Sequence, residues 1–360
     1  MNFLDLNIIW YILVGVLFTG YAMLDGFDLG VGALHLFVKK DEHRRLFLNS
    51  IGPVWDGNEV WLVTGGGALF AAFPEAYATV FSGFYLAFML LLCSLIFRAV
   101  AIEFRSKEEW GWWRQFWDVA FSAGSFVSAL LIGVAMGNIV RGIPLDADHE
   151  FAGTFLGLLN PYALLMGVTT VLLFAMHGAI YLSMKTDGEV HQIVASWVPR
   201  LIGFFLASYF LFNLYTLIEV PWVLETVRAR PYVFLVVAIN VLIVLNIPRE
   251  ISKGRDFNAF LSSCTSMALM MATFGSRIFR TWCSRPPFRK TASTSGMPPR
   301  RKKHSASCSS SPSSASPSSS PTPPAFTGSS AARPLLPSTA TDSFRARSLR
   351  MCSENHRLSR

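Results

Sequence analysis

IIWYILVGVLFTGYAMLDGFDLGVGALHLF, residues 8–37, decides the fold class of this chain. A helix needs about 20 mainly apolar residues to cross the hydrocarbon core of a bilayer, and this run exceeds that length. It also holds two carboxylates, Asp25 and Asp28, which a plain membrane anchor does not carry. Beyond it, apolar runs follow at 57–73, 76–101, 117–140, 160–184, 200–219, 229–247 and 257–279. With 52% apolar and only 15% charged residues, the chain is too greasy for a soluble domain. The reading is an all-α polytopic membrane protein with about eight transmembrane helices. No basic segment or small-residue cleavage site precedes the first run, so that helix is expected to be retained and not removed as a signal peptide.

The run at 57–73 is short and rich in glycine, and loop charge is what makes it count. With it included, alternate loops gather Lys39, Lys40, Arg44, Arg45, Arg105, Lys107, Arg114, Lys185, Arg200, Arg249, Lys253 and Arg255 on one side. The other side holds only Arg141, Arg228 and Arg230, among Glu75, Asp146, Asp148, Glu150, Glu219 and Glu225. Loops rich in Lys and Arg stay in the cytoplasm, so the N-terminus is expected outside and the loop at 38–50 inside. Without the second span this segregation is lost.

The formal charge of +8 does not indicate a nucleic-acid partner. Residues 1–279 carry 17 Lys and Arg against 21 Asp and Glu, whereas residues 280–360 carry 14 against 2. The basic excess belongs to the tail, and no zinc-finger, helix-turn-helix or RNA-binding motif accompanies it. Cys93, Cys264, Cys283, Cys308 and Cys352 show no ligand spacing, which argues against a disulfide framework or a zinc site. The chain therefore divides into a transmembrane domain at 1–279 and a basic Ser/Pro-rich tail at 280–360, whose composition is that of a disordered segment. The genetic code gives the tail a second reading. Serine codons are mostly TCN, and a frame beginning one base earlier reads NTC, which encodes Leu, Ile, Val or Phe. Read that way, 292–305 becomes LDIWNAASSEKTL and the serine-rich stretch 305–330 becomes mainly aliphatic. The expectation is a reading frame lost near Gly275 and a missing ninth span.

Polar residues inside spans are informative because a carboxylate near a helix centre costs about 2.5–3.5 kcal/mol to insert. Asp25 and Asp28 are thus expected to face protein, water or a counter-charge, or else to end as solvated groups at the interface. Their i, i+3 spacing puts both on one helix face. Two close carboxylates repel when both are ionised, which favours protonation of one and makes the pair a candidate proton relay. Gly26 and Gly30 would admit a neighbouring backbone. A second cluster, NSIGPVWDGNEVW, fills 49–61. Pro53 suits a helix start that Asp56 or Asn58 could cap. Capping does not account for Asp56, Asn58 and Glu59 together between Trp55 and Trp61, although both tryptophans also suit a membrane interface. Gly65, Gly66 and Gly67 permit either tight packing or local unwinding. Arg98 either snorkels to the interface or pairs with Asp118.

Histidine supply limits redox chemistry. Axial ligation of haem by a helix bundle generally draws histidines from facing helices. Only His177 is mid-span; His35 is near a helix end, and His43, His149, His191, His304 and His356 fall in loops or tail. A self-contained multi-haem cytochrome is not expected, and His177 reads as a packed or hydrogen-bonded core residue.

Together these motifs resemble subunit II of the bd-type quinol oxidases, two-subunit bacterial terminal oxidases. The resemblance rests on LDGFDLGVG at 24–32, NSIGPVWDGNEVWLVTGGGALFAAFPEAYA at 49–78, FSGFY at 81–85, FR at 97–98, WD at 117–118, IGVAMGN at 132–138 and LLNPYALLMGV at 158–168. Residues 190–279 agree in hydropathy pattern only, and the tail departs from a family that closes with another transmembrane helix.

The resemblance implies nine helices, arranged as two pseudo-symmetric four-helix bundles plus one. It implies a partner, subunit I, that holds the quinol site and the haem b and haem d groups, and it leaves open a small single-helix accessory subunit. This chain would bind no cofactor or metal and carry no catalytic residue. It would stabilise the haem subunit in the bacterial cytoplasmic membrane, conduct protons and offer dioxygen an apolar route. On matching positions, Asp56 would be the proton-path carboxylate, with Asp25 and Asp28 near its cytoplasmic mouth. Trp55, Asn58, Glu59 and Trp61 would support it, while Arg98 and Asp118 would be structural or electrostatic. Two other classes compete: a proton-coupled secondary transporter, which intramembrane carboxylates and glycine-interrupted helices also suit, and a membrane scaffold with no proton role. The joint motif match favours the oxidase subunit.

Overall fold

The computed structural model describes residues 6–145, 151–220, 232–284 and 288–290. Helix α1 (Leu6–Leu34) ends in a 3₁₀ turn at His35–Phe37 and is followed by α2 (Asp41–Ile51), α3 (Trp55–Ala72), α4 (Pro74–Gly83), α5 (Tyr85–Phe104) and α6 (Gly111–Arg141). Then come α7 (Phe155–Leu158), α8 (Pro161–Lys185), α9 (Gly188–Glu219), α10 (Tyr232–Ser252) and α11 (Asp256–Ser284). Ile143–Leu145 and Phe288–Lys290 add a short parallel strand pair.

Among the described residues, seven stretches are long and apolar enough to cross a membrane: Leu6–Phe37, Tyr85–Phe104, Gly111–Arg141, Pro161–Lys185, Gly188–Glu219, Leu235–Ser252 and Asp256–Gly275. The chain is thus a multi-pass helical membrane protein, with one fewer such stretch than the eight expected. The difference is α3, which carries Asp56 and Glu59 in its first turns and lacks the hydropathy of the others. The span expected at 76–101 is two helices, α4 and α5, which meet at Phe84. Proline has no N–H to donate and is tolerated in a first turn, so Pro74 begins α4 just after α3 closes at Phe73. The frame loss and ninth span expected in the tail lie outside the described residues.

Helix α8 is the centre of the bundle, buried along most of its length and packed by α1, α6, α9 and α11. Its start is well specified, since Asn160 Oδ1 accepts a hydrogen bond from the Ala163 amide (2.9 Å) and Pro161 follows the cap. In lipid, helices gain little from hiding apolar surface and associate through close backbone approach at small residues. Gly30 of α1 and Gly178 of α8 do this. A methyl group on Gly30 would run into the Phe174 carbonyl, and one on Gly178 would meet the backbone of Gly30 and Val31. Helix α6 approaches α8 through Gly133 and Gly167 in the same way. Outward faces carry Leu13, Val16, Leu92, Ile96, Leu211 and Leu242, the surface that lipid tails require.

Candidate functional site

Three helices bring charge together in the interior. From α5, Arg98 donates through Nη2 to Asp25 Oδ1 of α1 (2.7 Å) and through Nη1 to Glu59 Oε1 of α3 (2.8 Å). Asp28 Oδ2 lies 3.8 Å from the same Nη2. Asn58 of α3 donates to Asp28 Oδ2 (2.8 Å) and to the Leu24 carbonyl (3.3 Å). Arg98, Asp25 and Asp28 are wholly buried, whereas the Glu59 side chain is 26% exposed. The i, i+3 pair on α1 therefore does share a face, and that face meets a counter-charge, as membrane insertion requires. One guanidinium against three carboxyl groups is a surplus of acid.

A second cluster closes the end of the bundle near α2. Arg105 donates through Nε to Asp118 Oδ1 (2.5 Å) and through Nη2 to Asp118 Oδ2 (3.2 Å). Arg44 reaches Asp118 Oδ2 (3.1 Å), and His35 Nε2 reaches Asp118 Oδ1 (2.6 Å). Asp41 links Arg105 (2.5 Å) to Arg114 (3.4 Å). Burial works against the charge on Arg105, but the hydrogen bonds and charges of Asp118 and Asp41 outweigh it and raise its pKa.

The structure corrects the expected partners of Arg98. It is buried instead of snorkelling, and it pairs with Asp25 and Glu59, not with Asp118. The reason is helix geometry. Arg105 lies seven residues after Arg98, two turns along the same face of α5 and about 10 Å further along its axis, at the level of Asp118. That heptad spacing is a signal legible in the sequence, as are His35 at the end of the first helix and Arg44 in the basic segment after it.

The other residues of the 49–61 cluster separate. Helix α3 begins after Val54 with no side-chain cap, so neither Asp56 nor Asn58 caps it. Asp56 is exposed on the first turn, three residues before Glu59 in the chain. Trp55 is half-buried, and the Trp61 ring covers Gly20 of α1, leaving no space for a side chain there. Gly65, Gly66 and Gly67 stay helical, and a methyl group on Gly65 would come within 3.3 Å of the Phe18 ring, so unwinding does not occur. His177 is a hydrogen-bonded core residue: Nδ1 meets Ser263 Oγ (2.7 Å), Nε2 meets the Met23 carbonyl (2.9 Å), and the ring stacks on Phe260.

Residues 6–287 match the family model of cytochrome bd terminal oxidase subunit II. The chain belongs to that family. It is 52% identical over 191 residues to cytochrome bd-I ubiquinol oxidase subunit 2 of Escherichia coli strain K12, covering 52% of this chain and 50% of that one. It is 41% identical over 200 residues to cytochrome bd ubiquinol oxidase subunit 2 of Bacillus subtilis strain 168, covering 55% and 59%. The chain thus spans about half the length of the curated relatives it matches. Its fold is similar to a chain of the bd oxidase of Geobacillus thermodenitrificans, with a TM-score of 0.60 and 15% identity over 76% of this chain and 84% of that one.

A bd oxidase complex uses haem, and His35 and His177, histidines wholly buried between the helices, are both held by protein contacts. Both ring nitrogens of His177 are engaged. His35 has Nε2 on Asp118 and its ring edge-on to Phe121 at 5.1 Å, and its Nδ1 is buried without a protein partner. Axial ligation draws on an imidazole nitrogen; both of His177 are hydrogen-bonded, and the one His35 leaves unpaired is buried in protein.

Proposed function

We propose that this chain is the subunit II of a bd-type quinol:oxygen oxidoreductase in the bacterial cytoplasmic membrane. It works beside a haem-bearing subunit I that binds haem b, haem d and quinol, with its N-terminus outside and the loop at 38–50 in the cytoplasm. The chain stabilises that partner and supplies part of its proton path, with Asp25, Asp28 and Asp56 as the proton-bearing groups. The observation that carries the reading is the Arg98 cluster, which puts more carboxyl groups than cations inside a lipid-embedded bundle of this family.

The test is co-expression with a haem-bearing subunit I of the family, followed by absorption spectra and oxygen consumption of the membranes. Asp56→Asn, Asp25→Asn and Asp28→Asn are expected to slow turnover while the haem bands stay intact. Unchanged turnover in all three would leave a scaffold without a proton role. Purified chain that moves a solute alone in vesicles would instead make it a transporter.

A further inference from the structure

Between the two charge clusters runs a buried polar seam. Along the end of α1, Asp28, Gly32 and His35 follow each other at spacings of four and three residues and so share one face. That face packs on α6, where Ser125 and Ser128 lie one face-turn after another beyond Asp118. Ser125 Oγ sits directly over Gly32, and any side chain at Gly32 would collide with it. Asp28, His35, Ser125 and Ser128 are all fully buried. Each nevertheless has an atom without a protein partner: Asp28 Oδ1, His35 Nδ1, and the hydroxyl oxygens of Ser125 and Ser128.

An unpaired buried polar atom costs about 1–3 kcal/mol, so four of them along one seam call for a ligand. The set defines its chemistry. A carboxyl group donates when protonated and accepts when ionised, an imidazole nitrogen accepts, and two hydroxyls both donate and accept, which is the environment that holds internal water. Helical rise puts Asp28 and His35 about 10 Å apart, a gap that the Ser125 hydroxyl and two or three waters close at hydrogen-bond spacing. At the far end, the carboxylate of Asp118 is held by Arg105 and Arg44 and so accepts from His35 Nε2–H, which leaves Nδ1 as the acceptor of a neutral ring.

We propose that the α1/α6 seam binds a short chain of water that lets the carboxyl groups of the Arg98 cluster exchange protons with His35. This rests on the proton-path reading above and adds a route that runs through the interior of the chain, away from exposed Asp56. In each transfer an O–H bond breaks at the Asp28 carboxyl and an N–H bond forms at His35 Nδ1, with the intervening hydroxyl and water protons shifting by one place. The products are a carboxylate beside Asn58 and Arg98 and an imidazolium beside Asp118. No electrons move.

The full chain in lipid nanodiscs tests this by two measurements. High-resolution electron cryomicroscopy is expected to show ordered density within hydrogen-bond reach of Ser125 Oγ. Infrared spectroscopy in heavy water follows deuterium exchange of the Asp28 carboxyl, identified by its loss in Asp28→Asn. Ser125→Val is expected to remove the density and slow that exchange about tenfold, the loss of one hydrogen-bonded step. Ser208→Ala, which alters a buried hydroxyl paired with Thr169 (2.7 Å), is expected to change neither. A dry seam in the unmodified chain overturns the proposal, as does exchange that Ser125→Val leaves untouched. Ordered water with an exchange rate that tracks Ser125, in a complex whose turnover ignores Asp28→Asn, would instead overturn the proton-path reading and leave the water site standing.

Discussion

An Arg98→Gln chain would leave Asp25, Asp28 and Glu59 facing one another with no counter-charge. Removing one partner of a buried ion pair destabilises by about 3–5 kcal/mol, so this variant should unfold at much lower temperature in detergent. Adding Asp25→Asn should recover part of the loss, because the double variant removes one of the groups left without a partner. Thermal denaturation of the three chains checks both statements. Asp118→Asn should act independently of Arg98→Gln, since the two residues belong to separate clusters, and the two losses should add. At this scale the sequence exposed the chemistry but not the pairing. Asp25, Asp28 and Glu59 stood out because lipid penalises carboxylates. Which cation each meets depends on how far α5 slides past α1 and α6, and no residue pattern encodes that slide by itself.

The apolar runs located nearly every long helix, because a bilayer demands an uninterrupted greasy stretch and the chain has little other way to satisfy its backbone. What they missed was the break between α4 and α5 at Phe84, an ordinary residue flanked by apolar ones on both sides. Helix contacts were legible only where glycines mark them. The four-residue spacing of Gly26 and Gly30 suits a contact surface, and Gly30 is one, against Gly178. Gly178→Ala should therefore destabilise the bundle by about 1–3 kcal/mol, the usual penalty for forcing a methyl group into full space. Gly203→Ala on α9, where nothing lies within 4 Å, should be neutral or slightly stabilising in the same melt.

For the whole molecule, the asymmetry of loop charge makes an experiment on intact cells decisive. A membrane-impermeant maleimide should label Glu75→Cys from outside and leave Arg45→Cys untouched until the membrane is opened, in a background with Cys93 and the other native cysteines replaced. The opposite pattern would invert the orientation proposed above. The coding DNA bears on the tail at the same scale. It should contain, in the frame that begins one base earlier, an apolar run of about 20 residues after the codon for Gly275.

The bond from His177 to the Met23 carbonyl joins residues 154 apart, whereas the bond from Arg98 to Asp25 joins residues 73 apart. During translation the guanidinium therefore leaves the ribosome well before the central helix does. The first hairpins can give their acids a counter-charge early and wait in the membrane as a paired half, to be locked when α8 arrives and slots its glycine against Gly30.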